Sequence, residues 1–279
     1  MSEPDHRHHL RSMLMRESLL DKSLMNSTER GSQVRRMLPK AHVVKVGGRS
    51  IIDRGREAVF PVVDVLGALL DGGNQLLLST GGGARTRHVF SIGIDLGLPT
   101  GVLAQLSIAD ALGNAHILGS LLAPWGVVAI PPEMFGHLLP LFAHAVPGVI
   151  FNGDPPYSLW EHPPSIGRIP PHRTDAGTFL VAECFGCQSL TYVKDVDGIY
   201  ETDPHDDPDA APNADPIREI SVSELRERGL AKLPFDRVLL DLLDRARLID
   251  RFQIVNGLHP ERIAAAVRGE HVGTIVHKG

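Results

Sequence analysis

The sequence predicts a three-layer α/β/α sandwich around a mostly parallel sheet, and two observations support this prediction. Short apolar runs such as AHVVKV (41–46) and QLLLST (75–80) alternate with longer helical patterns along most of the chain. These runs are apolar on both faces, which is typical of strands buried between two layers of helices. The chain has 279 residues, of which 43% are hydrophobic, and can therefore bury one large core.

The elements follow from the period of the apolar residues, which is short and continuous in strands and close to every third or fourth residue in helices. The predicted strands are 41–46, 75–80, 126–130, 147–152, 189–196, 251–256 and 273–277. The predicted helices are 56–70, a glycine-rich turn and helix over 81–97, 102–123, 133–145, 174–185, 221–229, 235–249 and 259–269. Two long loops, 154–173 and 195–218, exceed what a connection needs and are candidates for function.

Residues 1–40 differ from the rest and are interpreted as an N-terminal arm before a domain over 41–279. The arm holds eight Lys and Arg against five Asp and Glu. Its apolar residues Met13, Leu14, Leu19, Leu20 and Leu24 predict a short amphipathic helix. Such an arm packs on its own domain or on a neighbouring subunit, and a loose tail is the alternative.

Charge and composition argue against several classes of protein. A net charge of −5 and an aromatic content of 5% are unlike a nucleic-acid-binding surface. The N-terminus lacks the apolar core of a signal peptide, and the sequence has no uninterrupted apolar run of membrane-spanning length, so we expect no membrane segment. With only Cys184 and Cys187, reduced thiols in the cytoplasm are the expected state.

Two glycine-rich turns directly follow predicted strands and indicate an anion-binding cleft. Lys45, Gly47 and Gly48 come after the first strand, and Gly81, Gly82 and Gly83 come after the second. Glycines let backbone N–H groups approach an anion, and a helix that begins there adds positive potential. Either turn alone could be only a tight turn, but two at adjacent strand ends favour a shared cleft.

Two further segments carry side chains suited to ions. The stretch 194–204 places Asp195 and Asp197 at a strand end, where carboxylates can hold Mg²⁺ beside phosphates. His162, His172 and Arg173 lie in the proline-rich loop, and histidine with arginine suits an oxyanion. A stiff surface turn is an equally good interpretation of 170–175 from the residues alone.

Together these motifs resemble the amino-acid-kinase superfamily and its uridylate-kinase branch. The matching segments are KVGG at 45–48, GGG at 81–83, TDAG at 174–177, KDVDGIYETDP at 194–204 and VRGEHVGTIV at 267–276. The resemblance implies that Lys45 stabilises a transferred phosphoryl group and that Thr174 and Asp175 lie near the phosphate or magnesium region, with Asp175 in a catalytic role. It also implies that the nucleotide site includes Asp197, Gly198, Tyr200 and Asp203.

A closer resemblance is to the molybdenum storage protein family, a relative of uridylate kinase. It rests on the segments 84–99, 154–163 and 169–177 and on the closing GEHVGTI, with SLW and VKDVDG closer to the β-type subunit and His116 and His172 closer to the α-type. This resemblance implies a hexamer with copies of itself or a homologous subunit, in which ATP, Mg²⁺ and ATP hydrolysis load molybdate or tungstate as polynuclear oxide clusters. It makes His162, His172 and Arg173 the candidate oxometalate ligands.

Two alternatives stay open, and a departure at Lys194 supports the non-catalytic one. Lys194 stands where an ATP-hydrolysing subunit would be expected to carry a magnesium-binding acid, which argues against ATP turnover by this chain. A uridylate kinase is the enzyme alternative, although the stretch WEHPPSIGRIPPHRTD lacks the Gly-Thr-Gly-Asn-Pro segment usual in those kinases. A nucleotide-binding sensor on the same fold is the non-catalytic alternative.

Overall fold

A computed structural model describes residues 34–131, 134–202 and 215–279. The predicted amphipathic segment of the arm and Asp203 lie outside these residues. The last part of the predicted arm, residues 36–40, belongs to the compact unit Arg36–Gly279. There the N–H groups of Met37 and Leu38 donate to the carbonyl of Phe185, each at 2.8 Å, and Leu38 is buried.

The core of the fold is a sheet in which eight strands of the described residues pair. They are β1 (Ala41–Val46), β2 (Gln75–Thr80), β3 (Val127–Ala129), β4 (Gly148–Asn152), β5 (Ser189–Lys194), β6 (Glu219–Ser221), β7 (Arg251–Asn256) and β8 (Thr274–His277). Their order is β3-β4-β2-β1-β5-β7-β8-β6, and only β7 and β8 pair antiparallel. The predicted mostly parallel sheet is therefore confirmed.

Helices connect these strands and cover both faces of the sheet. They are α1 (Arg56–Asp71), α2 (Gly83–Asp95), α3 (Thr100–Leu122), α4 (Phe135–Ala145), α5 (Thr174–Phe185), α6 (Val222–Arg228), α7 (Leu239–Arg245) and α8 (Glu261–Val267). Alternate strand residues point to opposite faces, so that Val43 joins one apolar cluster and Val44 the other. Both clusters are buried, which is the reason the strands read as continuous apolar runs.

The C-terminal edge differs from the prediction. Strand β6 was not expected, and the predicted helix 235–249 is limited to α7. The carboxylate of Glu183 explains the early end of α7, because it accepts hydrogen bonds from the backbone N–H groups of Arg247, Leu248 and Ile249 at 2.6–3.1 Å. Those N–H groups are held by a side chain of α5 and are not available for helical bonds.

One helical segment, Thr100–Trp125, is long and apolar enough by length and composition to cross a membrane. This is weak support for a span, because a helix in the core of a soluble protein passes the same test. Helix α3, the main part of this segment, packs on the sheet, and its residues Leu103, Ala111 and Leu118 are almost fully inaccessible to solvent. The expectation of no membrane segment stays a prediction.

Candidate functional site

The candidate site lies where four neighbouring parallel strands end. Strands β4, β2, β1 and β5 are consecutive in the sheet, and their carboxyl ends bring together Asn152, Thr80, Lys45 and Lys194. Ligands of open parallel sheets gather at this edge, because helices begin and loops diverge there. Both glycine-rich turns leave the sheet at the same edge.

The two glycine-rich turns touch each other. A methyl group on Gly48 would overlap the carbonyl oxygen of Gly81 and the amide nitrogen of Gly83, so only glycine fits where the turns cross. The side-chain position that Gly81 leaves empty is 3.3 Å from Nζ of Lys45 and 3.2 Å from Oγ1 of Thr174. The predicted cleft is thus assembled from the first two strand ends and the start of α5.

The remaining glycines of the turns have structural partners. The N–H of Gly47 donates to the Val193 carbonyl at 3.0 Å, which fixes the first turn to β5. Gly83 has a φ of +71°, and the next N–H, of Ala84, donates to Oδ2 of Asp53 at 2.6 Å at the start of α2. An acid at a helix N-terminus compensates the helix dipole there.

A buried charge network lies beneath the turns. Asp175 in the first turn of α5 accepts hydrogen bonds from the ammonium of Lys45 and from that of Lys194, the latter at 2.9 and 3.2 Å. All three side chains are at most 11% exposed. Burial alone would raise the pKa of Asp175, but the charges of Lys194 and Lys45 hold it well below its usual range.

This network determines what Asp175 can do. Its carboxylate is ionised and both of its oxygens face ammonium groups, so it positions the two lysines at the cleft. To bind Mg²⁺, the carboxylate would have to exchange these partners for the metal ion. Burial, followed by the repulsion of Lys45, lowers the pKa of Lys194 despite its contact with Asp175.

Arginines add positive charge at the mouth of the cleft. Burial lowers the pKa of Arg87, and the nearby charges of Arg49 and Arg173 lower it further. Arg173 forms an ion pair with Asp236, whereas the guanidinium of Arg85 donates to Asn114. Guanidinium groups that repel one another beside glycine turns favour a bound anion, because an anion relieves the repulsion.

Several buried polar atoms of this region have no hydrogen-bond partner within the described part of the chain. They are both side-chain polar atoms of Asn152, Oδ2 of Asp154 and Oδ2 of Asp236. The electrostatic neighbours of Asp154 and of Asp236 both include Lys45 and Arg173, which places the two carboxylates at the cleft. Unpaired buried polar groups are costly, so these atoms fit a site that holds water or a polar ligand.

The segment after β5 forms a second part of the site. The carboxylate of Asp197 accepts from Asn256 at 3.0 Å and pairs with Arg262. Asp195 pairs with Arg54 at 2.8 Å. Burial alone would raise the pKa of Asp195, but hydrogen bonds from Arg54 and Ser50 lower it below its ordinary value. The predicted magnesium role of Asp195 stays a prediction.

A pocket of about 220 Å³ connects this segment to the C-terminal motif. Its lining residues are Asp197, Pro216, Arg218, Arg262, Val272 and Gly273. Gly198 lies against the hydroxyl of Thr274, which donates to the carbonyl of Ile217 and accepts from the N–H of Ile199. Tyr200 follows as a partly exposed side chain. The motif residues 197–200 and 272–274 therefore meet, and the nucleotide-binding role of Asp197, Gly198 and Tyr200 stays a prediction.

The predicted oxyanion ligands fall into two places. His162 and His172 lie together, with ring centres 5.5 Å apart, on either side of the buried carboxylate of Glu161. Arg173 turns away from them to Asp236. The oxometalate role of all three residues stays a prediction, and the carboxylate of Glu161 disfavours an anion beside the histidines.

The residues that sequence analysis missed differ in how visible they were. Asn152 is the last residue of a predicted strand, and Asp154 follows that strand. The rule that ligands gather at strand ends could therefore have found both residues. Arg49 lies within the predicted glycine turn. Asp236 and Glu161 gave no such signal, because only the folded chain brings them to their partners.

The fold is that of a known family. The sequence model of the amino acid kinase family matches residues 40–248. The chain belongs to this family, as its motifs predicted.

Within this family, the chain is similar to molybdenum storage proteins and to uridylate kinases. The chain is 45% identical over 267 residues to the molybdenum storage protein subunit beta of Azotobacter vinelandii, with 96% of each chain covered. The predicted resemblance to the molybdenum storage proteins is therefore confirmed. The chain is also 27% identical to the uridylate kinase of Natronomonas pharaonis, and the match covers 84% of this chain and 97% of that one.

Solved structures show the same fold. The crystal structure of uridylate kinase from Archaeoglobus fulgidus matches with a TM-score of 0.65 at 24% identity, over 84% of this chain and 99% of that one. A UMP kinase from Bacillus anthracis matches with a TM-score of 0.64 at 15% identity, over 86% and 97% of the two chains.

Proposed function

We propose that this chain is a subunit of a molybdenum or tungsten storage protein. In this proposal the chain forms a hexameric cage in the cytoplasm with copies of itself or with a homologous subunit. The cage accumulates molybdate or tungstate as polynuclear oxide clusters, and loading is coupled to ATP binding and hydrolysis. The observation that carries the proposal is the 45% identity to a molybdenum storage subunit across 96% of both chains.

The charge distribution of the cleft supports an anionic ligand. Lys45 reaches the crossing of the two glycine turns, and the guanidinium groups of Arg49 and Arg87 lie close enough to repel each other. A triphosphate or an oxometalate would be held by backbone N–H groups and by these cations together. We therefore place the ATP phosphates at Gly47, Gly48 and the turn 81–83.

The ion pairs of Asp175 bear on the part played by magnesium. Its two oxygens face Lys45 and Lys194, so ammonium groups occupy the positions at which this carboxylate could bind a metal ion. We propose that Lys194 supports nucleotide binding by this chain and slows its own ATP turnover. In an assembly with a homologous subunit, the ATP hydrolysis that loads the cage would then depend on that subunit.

Metal content after purification tests the proposal. The protein is produced in cells supplied with molybdate and passed through gel filtration with and without ATP and Mg²⁺, and molybdenum is counted per chain by mass spectrometry. Storage predicts many molybdenum atoms per chain that elute with an oligomer and increase with ATP. A protein that elutes without molybdenum under all conditions would contradict storage.

The uridylate kinases among the relatives make phosphoryl transfer to UMP the second candidate. An assay of UDP formation from ATP and UMP separates it from storage, because ATP hydrolysis alone also releases ADP. Transfer to UMP by a metal-free protein would support the kinase. Nucleotide binding with neither transfer nor metal would support a sensor on the same fold.

A further inference from the structure

The proline-rich loop 154–173 folds back on itself and gathers three side chains that can bind a metal ion. One ligand atom each of Glu161, His162 and His172 lies within 4.8 Å of the others. Their mutual positions are further defined by the edge-to-face contact of the two imidazole rings, at 79°. Tyr157 packs edge-on against His172 on another side, with ring centres 6.2 Å apart.

Glu161 is the central group of this cluster, and its carboxylate is 1% exposed. It accepts the backbone N–H of His162 at 3.0 Å and that of His172 at 3.1 Å. The ion-pair partners described for it are the two histidines themselves. Nδ1 of His172 lies 3.2 Å from each oxygen of Glu161, and a buried carboxylate in such surroundings is suited to pair with a cation or to coordinate a metal ion.

The contacts of His162 direct its Nε2 toward this carboxylate. Its Nδ1 lies 3.2 Å from the carbonyl of Pro163, which can only accept, so Nδ1 carries the proton. In the neutral ring Nε2 is then an acceptor, and it lies 3.8 Å from Oε1 of Glu161. Two acceptors that face each other beyond hydrogen-bond distance are stabilised by a cation between them.

The spacing of these atoms matches a metal ion. Ligands about 2.0–2.1 Å from a tetrahedral zinc ion are about 3.3 Å apart. Nδ1 of His172 lies 3.2 Å from Glu161, and Nε2 of His162 lies 3.8 Å from it. Small rotations of the exposed His162 side chain, which is 70% accessible, would complete the geometry.

We propose that Glu161, His162 and His172 bind a divalent first-row transition-metal cation such as Zn²⁺ or Ni²⁺. Two imidazoles and one carboxylate suit these ions, whereas Mg²⁺ and Ca²⁺ prefer oxygen ligands. The exposure of His162 leaves a fourth position for water. The ion would join the middle of the loop to its end, immediately before Arg173 and the start of α5. This site is separate from the anion cleft and does not rest on the storage proposal.

Calorimetric titration of the metal-depleted full-length protein with ZnCl₂, NiCl₂, MgCl₂ and sodium molybdate, each alone, tests the site. We expect one Zn²⁺ or Ni²⁺ per chain at this site and no binding of Mg²⁺ there. Saturation should raise the melting temperature by roughly 5–10 °C at a hundredfold excess over Kd.

Variants at this cluster locate the binding. Glu161→Gln and His162→Ala should lower the affinity at least about tenfold. His116→Ala, which changes an exposed histidine on α3, should leave it unchanged. Because His162 is largely exposed, its replacement is compatible with folding, which circular dichroism checks.

Three outcomes would overturn the proposal. The first is the absence of Zn²⁺ and Ni²⁺ binding by the wild type. The second is unchanged cation binding by His162→Ala, which would place the ion elsewhere. The third is molybdate binding that needs both histidines and is strengthened by Glu161→Gln, which would make the cluster an oxyanion site.

Discussion

Asp154 gives a quantitative test of the charge distribution at the cleft. It follows β4 and is 6% exposed, with Oδ1 accepting from the hydroxyl of Ser107 at 2.9 Å and Oδ2 without a partner among the described residues. Burial raises the pKa of Asp154 from its ordinary value of 3.8 to about 7, although Ser107 and Lys45 act in the opposite direction. The folded protein therefore keeps this carboxyl protonated at pH values where the unfolded chain has ionised it.

The sign and size of the effect follow from these two values. Between pH 3.8 and about 7 the folded state binds one more proton than the unfolded state, so the free energy of unfolding decreases as the pH rises. The difference in pKa corresponds to about 4 kcal/mol, at about 1.4 kcal/mol per pH unit. Asp154→Asn resembles the protonated carboxyl, retains an acceptor for Ser107 and should remove this dependence.

Urea unfolding at pH 5, 6, 7 and 8, at one protein concentration and without ligands, measures the effect. The wild type should lose stability relative to Asp154→Asn by about 3 kcal/mol over this range, because only the interval from pH 5 to about 7 contributes. Asp64→Asn, at an exposed acid of α1, should run parallel to the wild type. If the curves of wild type and Asp154→Asn differ by a constant within about 1 kcal/mol, Asp154 does not titrate as the structure requires.

Three more predictions concern the lysines and their acid. Lys45→Met should reduce ATP-dependent molybdenum loading at least about tenfold, because it removes the cation at the crossing of the glycine turns. The control Lys40→Met, at an exposed lysine, should load normally. Equal loading by both variants would remove Lys45 from the mechanism. Asp175→Asn should destabilise the protein by about 3–5 kcal/mol at pH 7 in urea unfolding, because two buried ammonium groups lose their counter-ion. Since the pKa of Asp175 is depressed, this contribution is present above about pH 4 and is lost as the pH falls further, so a difference that persists unchanged at pH 2 would contradict the assignment. Lys194→Met should make ATP binding depend more strongly on Mg²⁺ in calorimetry, because one oxygen of Asp175 becomes available to the metal; an unchanged Mg²⁺ dependence would contradict the role of Lys194.

The fold and the glycine turns could be predicted because their signals are local. Strands buried on both faces are continuous apolar runs. Lys45 lies near the end of one such run with Gly48 shortly after it, and Gly81 directly follows the next. The sheet order could not be read from these runs, since the pairing of β5 with β1 joins segments about 150 residues apart in the chain. The antiparallel pairing of β7 with β8 could not be predicted either, because the spacing of apolar residues does not depend on strand direction.

The electrostatic partners of the site were hidden for the same reason. The sequence identified Asp175 as an acid at the start of a helix. The residues next to it in the sequence do not indicate that Lys45 and Lys194 both bind it. Likewise, Arg173 and His172 are adjacent in sequence and face different partners, Asp236 and Glu161. Their adjacency in the sequence could not predict that their side chains point in different directions.

The arrangement of charges favours retention of an anion over rapid phosphoryl transfer. Kinases of many folds place Mg²⁺ between the phosphates, where it moves with the nucleotide and neutralises developing charge. Here the ammonium of Lys194 is buried and tied to Asp175, so the positive charge belongs to the protein and stays when products leave. A fixed cation attracts the phosphates of substrate and product alike, which strengthens binding without selectively lowering the barrier. The buried pair of Lys194 and Asp175 therefore supports the proposed subunit that holds anions better than one that turns them over.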